Sequence, residues 1–387
     1  MMQSHRDVYL VGAVDTALGE VPDQTELGMF ARAAQEALAE GGLSFADVDG
    51  LFTAYMGNMA SATVGEYLGI NEQVRFVGSS DLGGCAFEQY VHDAMLAVSQ
   101  GHCEVALVGW ASRQRTRRLR SLGGPPRDTY TLDAQFQAPY GLPLPIGHYA
   151  MMAARHMHQY GTTSEQLAEV AAAASAWAQL NPAAWRYGQP IEVADVLASP
   201  LLAEPLHKLD CCLVTDGGGA VVVTAADRAR DAAKPAVRVL GAAHAQGHVH
   251  LPQMRDLTVS PGARSGPEAF ARAGITPDDV DVLQPYDSFT ITVLMALEDL
   301  GFCAKGEGGP FLQHGTLRPG GKLPSMTSGG GLAHNHPGAL GIQLLIEAVR
   351  QLRGECGDRQ VPGAEVAVAH GVGGMMSTTA TVVLARD

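Results

Sequence analysis

The chain has 387 residues, of which 46% are hydrophobic and 17% charged, so it can bury a large core and is not a disordered protein. Its formal charge of −14 argues against a nucleic-acid partner, because phosphate binding requires a basic surface. A run of about 20 apolar residues and a signal-peptide pattern are both absent, which predicts a soluble, cytoplasmic protein without a membrane span. Six cysteines without a C-x-x-C pair predict reduced thiols and no metal site.

Strands and helices alternate along the first part of the chain. Strand-like VYLVGAV (8–14) precedes the apolar-periodic helix ELGMFARAAQEALAEGG (26–42). LSFADVDGLFTAY (43–55) then predicts a turn followed by a buried strand. Further along come a helix, FEQYVHDAMLAVSQG, a strand, CEVALVGW, and a closing strand, GAVVVTAAD.

The same order recurs in the second part of the chain, which indicates a duplication. VRVLGAA is followed by PEAFARAGITPDDVDVLQPYD, and Gly42-Leu43 matches Gly274-Ile275 at an offset of 232 residues. Asp47-Val48-Asp49 matches Asp279-Val280-Asp281 at the same offset. IQLLIEAVRQLRG, AEVAVAHGVGG and TATVVLARD then repeat the helix, strand and closing strand of the first part.

The repeated order predicts an α/β protein built from two similar halves packed together. Because each strand is almost continuously apolar, we expect helices on both faces of a mostly parallel sheet in each half. The first half is predicted to span residues 1–230 and the second residues 231–387. Residues 111–205 have no counterpart in the second half and are predicted to form an inserted, substrate-side domain that contains the helix SEQLAEVAAAASAWAQL.

Five motifs, in this order and spacing, resemble the thiolase superfamily, and within it the thiolases related to sterol carrier protein X. They are DLGGCAFEQYVHDAMLAVSQG, LDCCLVTDGGGAVVV, QPYDSFTITVLMALEDLGFCAKGEGG, TSGGGLAHNHPGALG and HGVGGMMSTTATVVL. The resemblance covers essentially the whole chain. It implies the thiolase fold, an αβαβα layered core with a loop-domain insertion in the first half, here in a stand-alone unit with no sterol-carrier domain after it.

Cys85 is the first candidate for chemistry. It follows Gly83-Gly84 and opens an apolar-periodic helix, whose N-terminus would lower the pKa of the thiol and favour the thiolate. The alternative is a small buried cysteine, the common position of a free cysteine. The resemblance implies that Cys85 is the thiolase nucleophile.

His336 lies in a glycine-rich His-Pro loop, where backbone and ligand can approach closely. The resemblance implies that it activates the cysteine or holds the thioester oxygen, whereas His334 is predicted to be mainly structural. Tyr286 stands where thiolases carry an asparagine or histidine, and Asp287 follows it. Tyrosine can donate a hydrogen bond to an oxyanion or act as an acid.

The resemblance also implies that one catalytic group of many thiolases, an acid/base cysteine, is missing here. Many thiolases carry an acid/base cysteine at the position that Gly371 occupies here, so another group must transfer the proton. His370 is adjacent and is a candidate, although a histidine at a strand end is more often structural.

In thiolases the inserted domain holds coenzyme A, which implies that His148 and Arg115 and Arg118 of the basic run RQRTRRLR (113–120) contact it. A solvated or dimer-facing charge run is the alternative for the arginines. Gly330, Gly373 and Gly374 are predicted to approach the substrate with their backbone. His244, His248 and His250 have no metal-site pattern.

Three functions are consistent with these residues. An acyl-CoA acyltransferase would use Cys85 as a covalent nucleophile, activated by His336. A retro-aldolase on the same fold would need no acyl-enzyme and would move protons through Tyr286 or Asp287. A non-catalytic acyl-CoA-binding subunit is the third. The position of Cys85 favours the first, with coenzyme A as co-substrate and no permanently bound cofactor. The resemblance further implies a homodimer and, in several relatives, a small zinc-ribbon and OB-fold partner.

Overall fold

The computed structural model describes residues 6–118, 130–142 and 145–387. Arg120 of the basic run therefore lies outside the described residues. The strands are β1 (Val8–Asp15), β2 (Gly50–Phe52), β3 (Phe76–Gly78), β4 (Val105–Arg113), β5 (Leu201–Ala203), β6 (Leu206–His207), β7 (Asp216–Ala225), β8 (Val237–Gln246), β9 (Val282–Pro285), β10 (Val366–Gly373) and β11 (Thr378–Arg386).

The helices confirm the main helical segments that the periodicity predicts. They are α1 (Glu26–Glu40), α2 (Ala60–Leu68), α3 (Ala86–Ser99), α4 (Leu132–Phe136), α5 (Ile146–Tyr160), α6 (Ser164–Ala178), α7 (Val193–Ala198), α8 (Ala226–Ala229), α9 (Gly262–Ala273), α10 (Thr290–Asp299), α11 (Gly308–Leu312) and α12 (Gly341–Arg353). Thr25 caps α1 and Thr163 caps α6, each by accepting a backbone N–H in the first turn.

Nine of the strands form one continuous sheet in the order β3-β2-β4-β7-β1-β8-β11-β10-β9. The two halves meet where β1 pairs with β8 over two residue pairs only, Tyr9 with Arg238 and Leu10 with Val237. On either side of this junction the strand orders mirror each other, so that β4, β7 and β1 correspond to β10, β11 and β8. The duplication predicted from the sequence is thus visible in the sheet.

The prediction of a mostly parallel sheet is wrong. The pairs β2–β3, β2–β4 and β9–β10 are parallel, but the other five pairings of the large sheet are antiparallel. The continuously apolar strands are explained by burial on both faces, because helices cover both sides of the sheet whatever the strand direction. Hydrophobic patterning therefore indicated the burial of the strands correctly and their direction incorrectly.

Helices α3 and α12 form the central layer of the molecule. Each of them contacts strands of both halves, whereas α1 packs on β1, β4 and β7 and α9 packs on β8 and β11. This gives the αβαβα layering of the predicted fold class. The first residue of α12, Gly341, lies beside the turn before α3, since a Cβ on Gly341 would be 2.6 Å from the carbonyl oxygen of Gly84. The N-termini of the two central helices therefore meet.

The inserted segment leaves the sheet at β4 and returns at β7, and it contains α4 to α7. Helix α6 packs on the turn at residues 330–334 and on α10, so the insertion reaches the loops of the second half. The predicted boundary at residues 230 and 231 falls between α8 and β8. Among the described residues, the helices are too short or too polar to cross a membrane.

Candidate active site

Cys85 lies directly before α3, at its N-cap position, and only 1% of its surface is exposed. Its Sγ is 3.4 Å from the carbonyl oxygen of Leu82 and 3.2 Å from Oγ1 of Thr378, which itself donates to Leu82 at 2.9 Å. The thiol is therefore held by the loop before α3 and by the start of β11.

The expectation that the helix N-terminus lowers the pKa of Cys85 is wrong for this structure. Burial raises the pKa of the thiol to about 12, and the negative charge of Glu88 adds to the shift. Desolvation of a thiolate in an apolar site outweighs the attraction of the helix dipole. At neutral pH Cys85 is consequently a thiol, not a thiolate.

Tyr286 and His336 lie together at the N-terminus of α12. Their rings make an edge-to-face contact with centroids 5.6 Å apart. The Tyr286 hydroxyl accepts a hydrogen bond from the backbone N–H of Leu340 at 3.2 Å, directly before α12. A Cβ on Gly84 would be 2.5 Å from Cζ of Tyr286, so the tyrosine occupies the space beside the turn that carries Cys85. Three of the predicted site residues are thus brought together.

Asp287 is fully buried and faces the glycine-rich loop. Its carboxylate accepts hydrogen bonds from the backbone N–H groups of Gly331 at 2.7 Å and Leu332 at 3.0 Å. These amides belong to one π-helical turn, Gly330–His334, that leads directly to His336. Burial raises the pKa of Asp287 to about 7 even though the two amides favour the ionised form. Asp287 orients the loop that carries His336.

Gly330 packs against the carboxyl group of Asp287. Its φ is +58°, and a Cβ there would lie 2.7 Å from Cγ of Asp287, so only glycine fits this turn. Gly373 and Gly374 pack against the loop at residues 82–83, where a Cβ on Gly83 would lie 2.6 Å from the backbone nitrogen of Gly374. The predicted substrate contacts of Gly330, Gly373 and Gly374 stay predictions.

His370 faces away from this group of residues. Neighbouring residues of a strand point to opposite faces of the sheet. A Cβ on Gly262, the first residue of α9, would be 3.2 Å from Cε1 of His370, whereas a Cβ on Gly371 would be 2.5 Å from Cδ of Glu88 on α3. Burial lowers the pKa of His370 to about 4, so the ring is neutral. The outward orientation of His370 argues against its predicted part in proton transfer.

Glu88, in the first turn of α3, is a site residue that sequence reasoning missed. Its side chain is fully buried, and burial raises its pKa to about 8. The only sequence signal is an acidic residue on the apolar face of a helix beside Cys85. Glutamate is almost never fully buried without a partner. The acidic residue therefore becomes a candidate for chemistry once the structure shows that this face of α3 is buried.

Replacing Glu88 with glutamine is expected to remove a pH-dependent loss of stability. Between its ordinary pKa of 4.5 and the raised value of about 8, the folded protein keeps a proton that the unfolded chain releases. The free energy of unfolding of the wild type therefore falls as the pH rises through this window, by on the order of 5 kcal/mol. Urea denaturation across this range should give a flatter profile for Glu88→Gln. Parallel profiles would contradict the assignment, and Glu36→Gln, an exposed change on α1, is the control.

The arginine run is engaged with carboxylates of the same chain. Arg115 Nε lies 2.9 Å from Glu20, and Arg117 and Arg113 lie 3.1 and 3.5 Å from Glu26. The Arg115 guanidinium also stacks over the ring of Trp185, 4.5 Å from its centroid. The contacts place the run at the surface of the first half, and a phosphate contact of Arg115 stays a prediction.

Arg118 and His148, the other predicted coenzyme A contacts, lie in different surroundings. Arg118 is exposed and has a φ of +49°. His148 is fully buried near the start of α5. A surface arginine fits a phosphate contact better than a buried imidazole does.

A cavity of about 790 Å³ ends at the residues that hold Cys85. Leu82 and Thr378, the two hydrogen-bond partners of the thiol, line it, and so do His248 and His250. The ring of His248 is bonded to the carbonyl oxygen of Met375 at 3.1 Å. Two of the three histidines that have no metal pattern in the sequence, His248 and His250, thus line a ligand-sized cavity.

Known proteins resemble this chain over nearly its whole length. The family model "Thiolase C-terminal domain-like" matches residues 241–386. An acetyl-CoA acetyltransferase of Methanothermobacter thermautotrophicus is 34% identical and covers 98% of this chain and 100% of its own. A steroid side-chain-cleaving aldolase of Thermomonospora curvata is 36% identical and covers 94% of this chain and 95% of its own.

A solved structure described as "Ltp2-ChsH2(DUF35) aldolase" superposes with a TM-score of 0.89 at 32% identity, over 98% of both chains. The solved structure shares the fold, and the two relatives match the chain over nearly its whole length, so the similarity is not confined to one motif. The motif-based recognition is confirmed, and the chain belongs to the thiolase family.

Proposed function

We propose that the protein breaks a carbon–carbon bond beside a coenzyme A thioester by a retro-aldol reaction on a 3-hydroxyacyl-CoA, without a covalent acyl-enzyme. The observation that carries this proposal is the contrast between two side chains. The Tyr286 hydroxyl sits where the N-termini of α3 and α12 meet, whereas the Cys85 thiol is bonded to Thr378 and Leu82 and has a raised pKa. This contrast supports proton transfer by the tyrosine over nucleophilic attack by the cysteine.

In the proposed reaction the anionic form of Tyr286 accepts the proton of the substrate 3-hydroxyl. Two helix N-termini and the Leu340 N–H stabilise the negative charge on that oxygen. The bond between the α- and β-carbons then breaks, and its electron pair forms the enolate of the thioester. His336 and the helix N-termini stabilise the enolate oxygen. Protonation of the α-carbon completes the reaction, which yields a ketone or aldehyde and a shorter acyl-CoA.

Relatives with comparable identity support both this reaction and acyl transfer. The aldolase of Thermomonospora curvata and the acetyl-CoA acetyltransferase of Methanothermobacter thermautotrophicus are 36% and 34% identical to the chain. Formation or cleavage of a carbon–carbon bond beside a coenzyme A thioester, the function predicted from the motifs, is common to both alternatives. Coenzyme A enters as part of the substrate and is not a permanently bound cofactor.

Acyl transfer through Cys85 is the second candidate. The observation that favours it is the position of Cys85 at the N-cap of α3, where an attacking thiolate would be stabilised once formed. It requires that the substrate displace Thr378 from the thiol and that His336 accept the thiol proton.

We also infer that the protein works with a small partner subunit of the DUF35 type. The name of the structural neighbour joins an aldolase to such a component, and that neighbour matches 98% of this chain. A homodimer, as the thiolase resemblance implies, is part of the same proposal.

Cys85→Ala separates the two reactions. For a retro-aldolase we expect the variant to lose no more than about tenfold in kcat, since a group that takes no part in proton transfer contributes less than this. Intact-protein mass after brief incubation with acyl-CoA and 3-ketoacyl-CoA thioesters should show no adduct on the wild type. An acyl adduct on the wild type that Cys85→Ala lacks would establish acyl transfer instead. Cys103→Ala, at another fully buried cysteine, is the matched control.

A further inference from the structure

Glu88 is the one buried acid whose carboxyl group has no structural task among the described residues. Its side chain is 0% exposed, and neither carboxyl oxygen has a hydrogen-bond partner in the described part of the chain. By contrast, the fully buried Asp287 accepts from two amides, and Glu347 binds Thr327 and Arg359. A buried acid without a partner costs stability, so its presence beside the candidate site points to a chemical role.

The carboxyl group of Glu88 lies between the N-terminus of α12 and strand β10. A Cβ on Gly341 would be 2.8 Å from Cδ of Glu88, and a Cβ on Gly371 would be 2.5 Å from the same atom. Both positions are glycines, and a side chain at either one would take the space that the carboxyl group fills. The glycines of α12 and of β10 thus leave room for the carboxyl group of Glu88.

The same space adjoins the groups of the proposed reaction. Gly341 also approaches the carbonyl oxygen of Gly84, and Gly84 packs against the ring of Tyr286. Glu88 is close enough to Cys85 for its charge to raise the pKa of that thiol. The carboxyl group and the phenol therefore both lie close to the turn that carries Cys85, where the two central helices begin.

We propose that the Glu88 carboxyl group transfers the proton at the α-carbon of the bound acyl-CoA thioester. The proposal deepens the proposed function and rests on it for the class of substrate. Gly371 carries no side chain and His370 faces α9, so neither of these neighbours supplies the proton. Asp287 is held by the amides of Gly331 and Leu332, so among the described residues Glu88 is the buried acid without a hydrogen-bond partner beside this turn.

The proton transfer balances without a further reactant. The protonated carboxyl group gives its proton to the α-carbon of the enolate, a C–H bond forms, and Glu88 becomes a carboxylate. Tyr286, which holds the proton from the substrate hydroxyl, returns it to Glu88 and regains its anionic form. Burial raises the pKa of Glu88 to about 8, so the carboxyl group is mostly protonated at neutral pH. Because this pKa lies close to the working pH, the group can both donate and accept a proton.

Exchange of the α-protons of acetyl-CoA and propionyl-CoA in D₂O tests this step without carbon–carbon cleavage. The wild type should incorporate deuterium, measured by mass spectrometry of the recovered thioester. Glu88→Gln should exchange at least about 100-fold more slowly, because the amide cannot donate and regain the proton. Glu88→Asp keeps a carboxyl group and should recover part of the rate with a shifted pH profile. Glu36→Gln is the control for loss of one carboxylate.

Exchange by Glu88→Gln within about threefold of the wild-type rate, or no exchange by the wild type, would overturn the proposal. Thermal unfolding shows whether each variant is folded. If Glu88→Gln does not fold, Glu88→Asp is used in its place. An exchange rate and a pH profile of Glu88→Asp equal to those of the wild type would then overturn the assignment of proton transfer to Glu88. Cleavage of 3-hydroxyacyl-CoA without Glu88-dependent exchange would remove this inference and keep the proposed function. Glu88-dependent exchange without cleavage would keep this inference and remove the proposed function.

Discussion

Tyr286→Phe is expected to lower kcat for cleavage of a 3-hydroxyacyl-CoA by about 10³-fold, the contribution of one well-placed proton-transfer group. The change removes only the hydroxyl oxygen, which accepts from the Leu340 N–H and receives the substrate proton in the proposed reaction. The ring that contacts His336 remains, so KM should change little. Steady-state kinetics of the wild type and the variant measure both constants.

Tyr90→Phe is the matched control for this change. Tyr90 is fully buried in α3, and its hydroxyl donates to the carbonyl oxygen of Ser80 at 2.8 Å, in the loop before α3. Its loss should lower the free energy of unfolding by about 1 kcal/mol and leave kcat near the wild-type value. A Tyr286→Phe variant with a kcat as high as that of Tyr90→Phe would contradict the role of Tyr286 in proton transfer.

Asp287→Ala is expected to lower both stability and activity. The substitution leaves the N–H groups of Gly331 and Leu332 buried without an acceptor, which should lower the free energy of unfolding by about 3 kcal/mol. The π-helical turn would lose its anchor, and His336, which follows it, would lose its fixed position. We expect kcat to fall by about 10²-fold, since displacement of a catalytic group by about 1 Å has an effect of this size.

Asp281→Ala provides the comparison. Asp281 also accepts from two backbone amides, those of Glu365 and Val366, at 2.8 and 2.9 Å, but it is exposed and lies at the other end of β9. The variant should be somewhat less stable than the wild type and equally active at a temperature where both are folded. Equal losses of kcat in Asp281→Ala and Asp287→Ala would show that stability alone explains the effect.

The fold was predictable because the duplication is recorded in short matched segments. Gly42 and Gly274, at an offset of 232 residues, both have a positive φ just after the helix that packs on the outer face of the sheet. Strand direction was not predictable from the same segments, because a strand that is buried on both faces looks alike whichever way it runs. The short β1–β8 pairing that joins the halves left no signal in the sequence either.

The candidate site was predictable only in part. Cys85, Tyr286 and His336 lie in motifs, and the structure brings them together at the start of α3 and α12. The raised pKa of Cys85 depends on burial and on the charge of Glu88, and neither is visible in the motif itself. The side of the sheet that Gly371 faces could not be predicted either, because this requires the register of β10.

The arginine run illustrates a different reason why sequence reasoning was incomplete. The acidic partners of Arg115 and Arg117 are Glu20 and Glu26, more than 90 residues earlier in the chain. Only the fold brings the two segments together, so a cluster of arginines read along the sequence looks more available to phosphates than it is. Contacts of this kind depend on topology and not on local composition.

The most direct test of the proposed reaction is product analysis after incubation of the wild type and Cys85→Ala with a 3-hydroxyacyl-CoA in the absence of free coenzyme A. Thiolysis consumes free coenzyme A and starts from a 3-ketoacyl-CoA, whereas retro-aldol cleavage requires neither. We expect both proteins to release a ketone or aldehyde and a shorter acyl-CoA in equal amounts. Products formed only from a 3-ketoacyl-CoA with added coenzyme A, and only by the protein that retains Cys85, would contradict this account.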